Sequence, residues 1–155
     1  MHDDVYEAKT VLENYRVLKE RIKDKEFRLE ELHEKAKKST SNYEAVRVSG
    51  TMDKSRVETA MISAMDLEAQ MKKSIDQLYA KQYEIERVVD LMEGQEARIL
   101  ELRFIDGLKW ETVMEKMYIS ETTSKRIVRN ALKIFHDLAD FSIFGKKVGG
   151  SEDRT

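Results

Sequence analysis

The chain has 155 residues, of which 37% are charged and 41% hydrophobic, with 28 Lys plus Arg against 30 Asp plus Glu and neither proline nor cysteine. Zero cysteine excludes a disulfide scaffold, a thiolate zinc site and a cysteine nucleophile. The lack of proline argues against a turn-rich β-sandwich and for long helices, and no apolar run approaches the ~18 residues of a membrane span.

The first predicted helix runs from Asp3 to about Lys37. Val5, Ala8, Leu12, Tyr15, Ile22, Leu29, Leu32 and Ala36 recur at spacings built from three and four, the stripe of an amphipathic helix. Acidic Asp3, Asp4 and Glu7 at its start and Lys35, Lys37 and Lys38 at its end match the helix dipole. Residues 39–55 collect Ser, Thr, Asn and Gly and read as a loop, with Asp53 or Ser55 as the next N-cap. A second helix is expected from Ser55 to Glu93, stopped by Gly94. Its stripe is Val57, Ala60, Ala64, Leu67, Met71, Leu78, Ile85, Val88 and Met92, widened by Met61, Ile75 and Val89. Folding the two helices into an antiparallel, coiled-coil-like hairpin buries most of that stripe. Its width exceeds one partner helix, so a homo-oligomer is expected. Met61, Met65 and Met71 read as core filler, and Tyr79 and Tyr83 as hairpin-edge packing.

Residues 95–144 read as a small three-helix domain. Ile99, Leu100, Leu102 and Phe104 lie on a helix ending at Asp106-Gly107. Leu108, Trp110, Val113, Met114 and Met117 mark a second, and Trp110 reads as core. Tyr118-Ile119-Ser120 interrupts the pattern. The last helix, from Glu121 to Phe141, turns Ile127, Ala131, Ile134, Phe135, Leu138 and Phe141 inward. Ser120 is its expected N-cap, with Thr123 as the third helical residue. The expected architecture is all-α: a helical hairpin over 1–94, a helix-turn-helix domain over 95–144 and a disordered tail over 145–155.

Charge is distributed unevenly. Residues 1–94 carry 17 basic and 20 acidic side chains, whereas residues 120–133 hold Lys125, Arg126, Arg129 and Lys133 against Glu121 alone. In a helix-turn-helix the start of the second helix enters the major groove of duplex DNA. Ser120, Thr122 and Thr123 there suit phosphate or base contact, Arg126 and Arg129 can bind guanine bidentately, and Lys125 and Lys133 suit phosphates. His2, His33 and His136 share no metal spacing, so no metal site is expected. No catalytic motif is present, so an enzyme is not expected, nor is any cofactor.

The pieces ILELRFIDGLKWETVMEKMYIS and ETTSKRIVRNAL resemble the C-terminal DNA-binding domain of sigma factors. With the hairpin before it, the chain resembles phage regulators of the ArpU/RinA type. The resemblance implies a double-stranded DNA partner, a role in activating late phage transcription, RNA polymerase as a second partner and a place in the cytoplasm of a bacterial host. Met114 stands where that family usually has Ala, and Ser124 where many members carry an apolar residue. The chain lacks a recognisable promoter-melting segment, so it is not expected to act as a complete sigma factor. Two other readings fit the same elements: a small-terminase-like packaging protein that assembles into rings, and a coiled-coil adaptor with no DNA role.

Overall fold

The computed structural model describes residues 2–49 and 54–145, and the side chains of 3–38 and 54–145. Every regular element among the described residues is helical. In chain order these are α1 (His2–Glu13), α2 (Tyr15–Ser49), α3 (Lys54–Leu91), α4 (Gly94–Leu100) with a π-helical extension (Glu101–Ile105), α5 (Trp110–Met117), α6 (Glu121–Leu138) and a closing 3-10 turn (Phe141–Phe144). The all-α architecture expected from the sequence is present.

Two boundaries differ from expectation. The first helix is two, α1 and α2, separated at Asn14 alone, whose N–H still reaches Thr10 O at 3.2 Å. The stretch expected to be a loop stays helical as far as Ser49. Ser, Thr and Asn cost a helix only a few tenths of a kcal/mol each, and residues 39–49 contain no glycine or proline to stop it. The remaining loop positions, 50–53, with the cap candidate Asp53, lie outside the described residues, and Ser55 sits inside α3. Of the expected tail only Gly145 is described.

The chain packs as two compact units, one of residues 1–19 with 80–155 and the other of residues 20–79. The unit of residues 20–79 consists of parts of α2 and α3 running antiparallel. Ile22, Ile75 and Leu78 are buried in it. Two polar rungs fix the register: the Tyr79 hydroxyl donates to Glu26 Oε2 at 3.0 Å, and His33 Nε2 lies 2.6 Å from Glu68 Oε1. Tyr79 therefore packs at the hairpin edge as expected. Met61 and Met65 do not fill a core. They are exposed, as are Phe27, Ile62 and Leu67, because a single partner helix covers only part of so wide a stripe.

The other unit surrounds α6. Ile127, Ala131, Leu132 and Phe135 of α6 meet Ile99 and Leu100 of α4, and Ala8 and Leu12 of α1, in one buried core. Leu138, expected inside, is 43% exposed, and Phe141 packs edge-on to Phe135 from the 3-10 turn rather than from α6. The sequence boundary at 94/95 is therefore not where the packing divides. Residues 1–19 and 80–94 belong to the same compact unit as α6. An isolated 95–144 fragment is expected to show no cooperative thermal transition, whereas the full chain shows one; circular dichroism on both compares them.

Polar pins hold the periphery. The buried Glu84 carboxylate of α3 accepts from Arg87 Nε at 2.9 Å and Nη2 at 2.7 Å, and from the Asp140 N–H at 2.7 Å. Arg16 Nη1 donates to Ile105 O at 3.3 Å and Asp106 O at 3.1 Å, where the π turn ends. Gly107 follows with φ +74°, and a Cβ there would lie 2.7 Å from the Arg16 guanidinium. Gly107→Ala is expected to cost about 1–2 kcal/mol through the left-handed backbone alone. Arg16 would also be displaced from its carbonyls. Urea unfolding measures the sum.

Candidate nucleic-acid interface

The approach to α6 is a tight reversal. α5 ends as Tyr118 adopts φ 56°, ψ 47°, the left-handed region usually given to glycine. Tyr118 N–H donates to Glu115 O at 3.3 Å and Ile119 N–H to Met114 O at 3.1 Å, so two carbonyls of the last turn of α5 are satisfied within two residues. Ser120 then caps α6 as expected: its Oγ accepts the Thr123 N–H at 3.2 Å and donates to Thr123 Oγ1 at 3.0 Å. Helix, short turn and capped helix follow one another as the sequence predicts.

The buried side of α6 fixes what faces out. Ser124, Ile127, Ala131, Leu132 and Phe135 point to the core. Ser124 tolerates burial because its hydroxyl donates to Glu121 O at 2.6 Å. At 3.6 residues per turn, Thr122, Lys125, Arg126, Arg129 and Lys133 fall within an arc of about 100° on the opposite side. All five are exposed. Positions 122, 126, 129 and 133 make one row, and 11 steps of ~1.5 Å give it a length of roughly 16 Å.

The seven residues singled out from the sequence thus separate into two groups. Ser120 and the half-buried Thr123 spend their hydroxyls on the cap. Thr122 and the four cations form the outward face. Arg126, Arg129 and Lys133 make no hydrogen bond or ion pair among the described residues. Lys125 meets Glu121 at 3.4 Å with both side chains mostly exposed, a pair weak enough for a phosphate to displace. The face is net positive and unencumbered.

One residue of this region escaped the sequence reading. Tyr118 is 94% exposed, and its ring stands at the turn just before the cap. A strained, solvent-facing aromatic beside a basic face is suited to a phosphate or sugar contact. The signal in the sequence was the absence of glycine where so short a turn demands a positive φ.

Trp110 is half-buried. It meets Phe104 edge-on at 6.4 Å, and the Arg103 guanidinium lies 4.9 Å from its ring centre. Arg103 also donates to Leu108 O at 2.8 Å, so this group braces the turn before α5. Among the described residues the fold assembles a set of metal-capable atoms that spacing did not reveal. Asp4, Glu7 and His136 place their ligand atoms within 4.8 Å of one another. His136 Nε2 lies 3.4 Å from Glu7 Oε2 and 3.7 Å from Asp4 Oδ1, so a protonated His136 pairs α6 with α1. No helix among the described residues is long and apolar enough to cross a membrane.

Residues 37–136 match the model of a family described as "Protein of unknown function (DUF1492)". The match runs from the middle of α2 through nearly all of α6. No curated protein and no solved structure matches the chain.

Proposed function

The chain belongs to the DUF1492 family, and on the geometry of α5, the Tyr118 turn and α6 we propose that it is a double-stranded DNA-binding transcription regulator. The observation that carries this reading is the row of Thr122, Arg126, Arg129 and Lys133, with Lys125 beside it, on the solvent side of a Ser-capped helix. A helix presented in this way fits the major groove, where its arginines reach base edges and its lysines reach phosphates. Two lysines neutralising phosphates give a slope of log affinity against log salt of roughly −2 per chain.

The resemblance to ArpU/RinA-type regulators narrows the proposal to activation of late phage genes, with RNA polymerase as a further partner and the bacterial cytoplasm as its place of action. A homo-oligomer belongs to the same proposal. Exposed Phe27, Met61, Ile62, Met65 and Leu67 give the antiparallel pair apolar surface that a second copy would cover.

Selection of bound sites from random duplexes, with light scattering on the same sample, tests the proposal. A regulator enriches a defined site, symmetric if the chain dimerises, and scatters as a small oligomer. An octamer or larger ring that enriches no site points instead to DNA packaging. A chain that binds no duplex at any salt concentration is an adaptor, and the proposal is then wrong.

A further inference from the structure

Beside the basic row, α1, α5 and α6 enclose an open cleft of about 740 Å³. That volume lies in the range of about 300–1,000 Å³ common to small-molecule sites. Its walls are mainly apolar: Val5 from α1, Trp110 and Met114 from α5, Val128 and Leu132 from α6. Val5, Trp110, Met114 and Val128 are only half-buried, so apolar surface remains open to an occupant.

The charges on the rim select the occupant. Lys9, Lys125 and Arg129 face Glu111 and Glu121 there. Lys9 pairs with Glu13 at 3.8 Å and Lys125 with Glu121 at 3.4 Å. Glu111 stands in the first turn of α5, where the helix dipole already favours a carboxylate. Arg129 lies in the interior of α6, without that offset and without any partner among the described residues. Arg129 and Glu111 are therefore the rim charges without an ion pair among the described residues, and Arg129 is the cation left open above the apolar floor. We infer that the cleft binds an apolar organic monoanion, an aliphatic or aromatic carboxylic acid, whose carboxylate is held by Arg129 and whose body rests on Trp110, Met114 and Val128. Because Arg129 and Lys125 also belong to the outward face of α6, the bound acid would compete with DNA. That consequence, unlike the binding itself, rests on the function proposed above.

Trp110 is the sole tryptophan, so its emission reports the cleft without labelling. The full chain is titrated with decanoate below its micelle concentration, and in parallel with the neutral decanol. Decanoate is expected to change Trp110 emission saturably. Arg129→Gln is expected to weaken its binding roughly tenfold, as one charge-assisted bidentate interaction is removed. Decanol affinity should not respond to that substitution, and Val128→Phe should weaken both ligands by narrowing the cleft. Arg129 is exposed, so its replacement leaves the core intact, and unchanged helicity checks this. No saturable change, or equal decanoate affinity in Arg129→Gln and the parent, overturns the inference. So does an affinity that falls as protein concentration rises, which would mean that a second copy occupies the cleft. A duplex-displacement arm separates the two claims. Arg129-dependent decanoate binding by a chain that binds no duplex keeps the site and removes the DNA reading; duplex binding with a silent Trp110 does the reverse.

Discussion

Replacing Arg126 and Arg129 together by alanine is expected to erase the preference for a selected site over random duplex. Each arginine that reads a guanine contributes ~1–3 kcal/mol of discrimination, so the pair is expected to account for roughly 2–6 kcal/mol. Both side chains are exposed and without partners among the described residues, so the fold should be untouched. Replacing Lys125 and Lys133 should act differently. Affinity should fall about equally for all duplexes, and the salt slope should flatten by ~0.9 for each phosphate that is no longer neutralised. Anisotropy titrations at several salt concentrations, on selected and random duplexes, distinguish the two patterns. If all four substitutions leave binding unchanged, another surface holds the DNA.

The second large effect is expected away from that face. Glu84 is only 4% exposed, and its carboxylate is held by Arg87 and the Asp140 N–H. The hydrogen bonds from Arg87 are the main reason its pKa lies below the ordinary value of 4.5, opposed by burial. Arg87→Met strands that charge inside the protein. Because Arg87 is itself partly exposed, the loss is smaller than for a fully buried pair. The pH dependence has a definite sign. With its folded pKa depressed, Glu84 stabilises the parent chain above the unfolded value of 4.5, and that stabilisation is lost as pH falls through the folded pKa. In Arg87→Met the stranded carboxyl binds its proton more readily, so the gap between variant and parent should be widest near neutral pH and should narrow below pH 4.5. Urea unfolding at neutral and acid pH measures both. A gap that is constant with pH would mean that Arg87 acts only through packing.

The residues differ in how plainly the sequence announced them. The cap at Ser120, the stop at Gly107 and the inward row Ile127, Ala131 and Phe135 depend on neighbours within one or two helical turns, and the sequence displays such local rules directly. So does the outward row of α6, which is what remains once the core side is known. The continuation of α2 through residues 39–49 was hidden because a run of individually mediocre helix formers resembles a loop, although none of them forbids a helix. The placement of residues 1–19 and 80–94 in the same compact unit as α6 was hidden for another reason. Amphipathic stripes tell that a face is buried but not against what, and Ala8 and Leu12 could equally have served the hairpin. Glu84 was invisible for the same reason, since its partner Asp140 lies 56 residues away. The exposure of Met61 and Met65 shows the converse limit, where a stripe predicts burial that one chain alone does not supply.

The central claim is that the exposed face of α6 lies in the major groove, and it can be tested by position as well as by affinity. The chain contains no cysteine, so Glu121→Cys provides a single attachment point in the first turn of α6, at the edge of the basic face. A tethered iron chelate at that thiol should cut a bound, selected duplex in a narrow window on both strands, within about one helical turn of the contacted bases. Unimpaired binding accompanied by cleavage spread evenly along the duplex, at the level of free reagent, would contradict the claim.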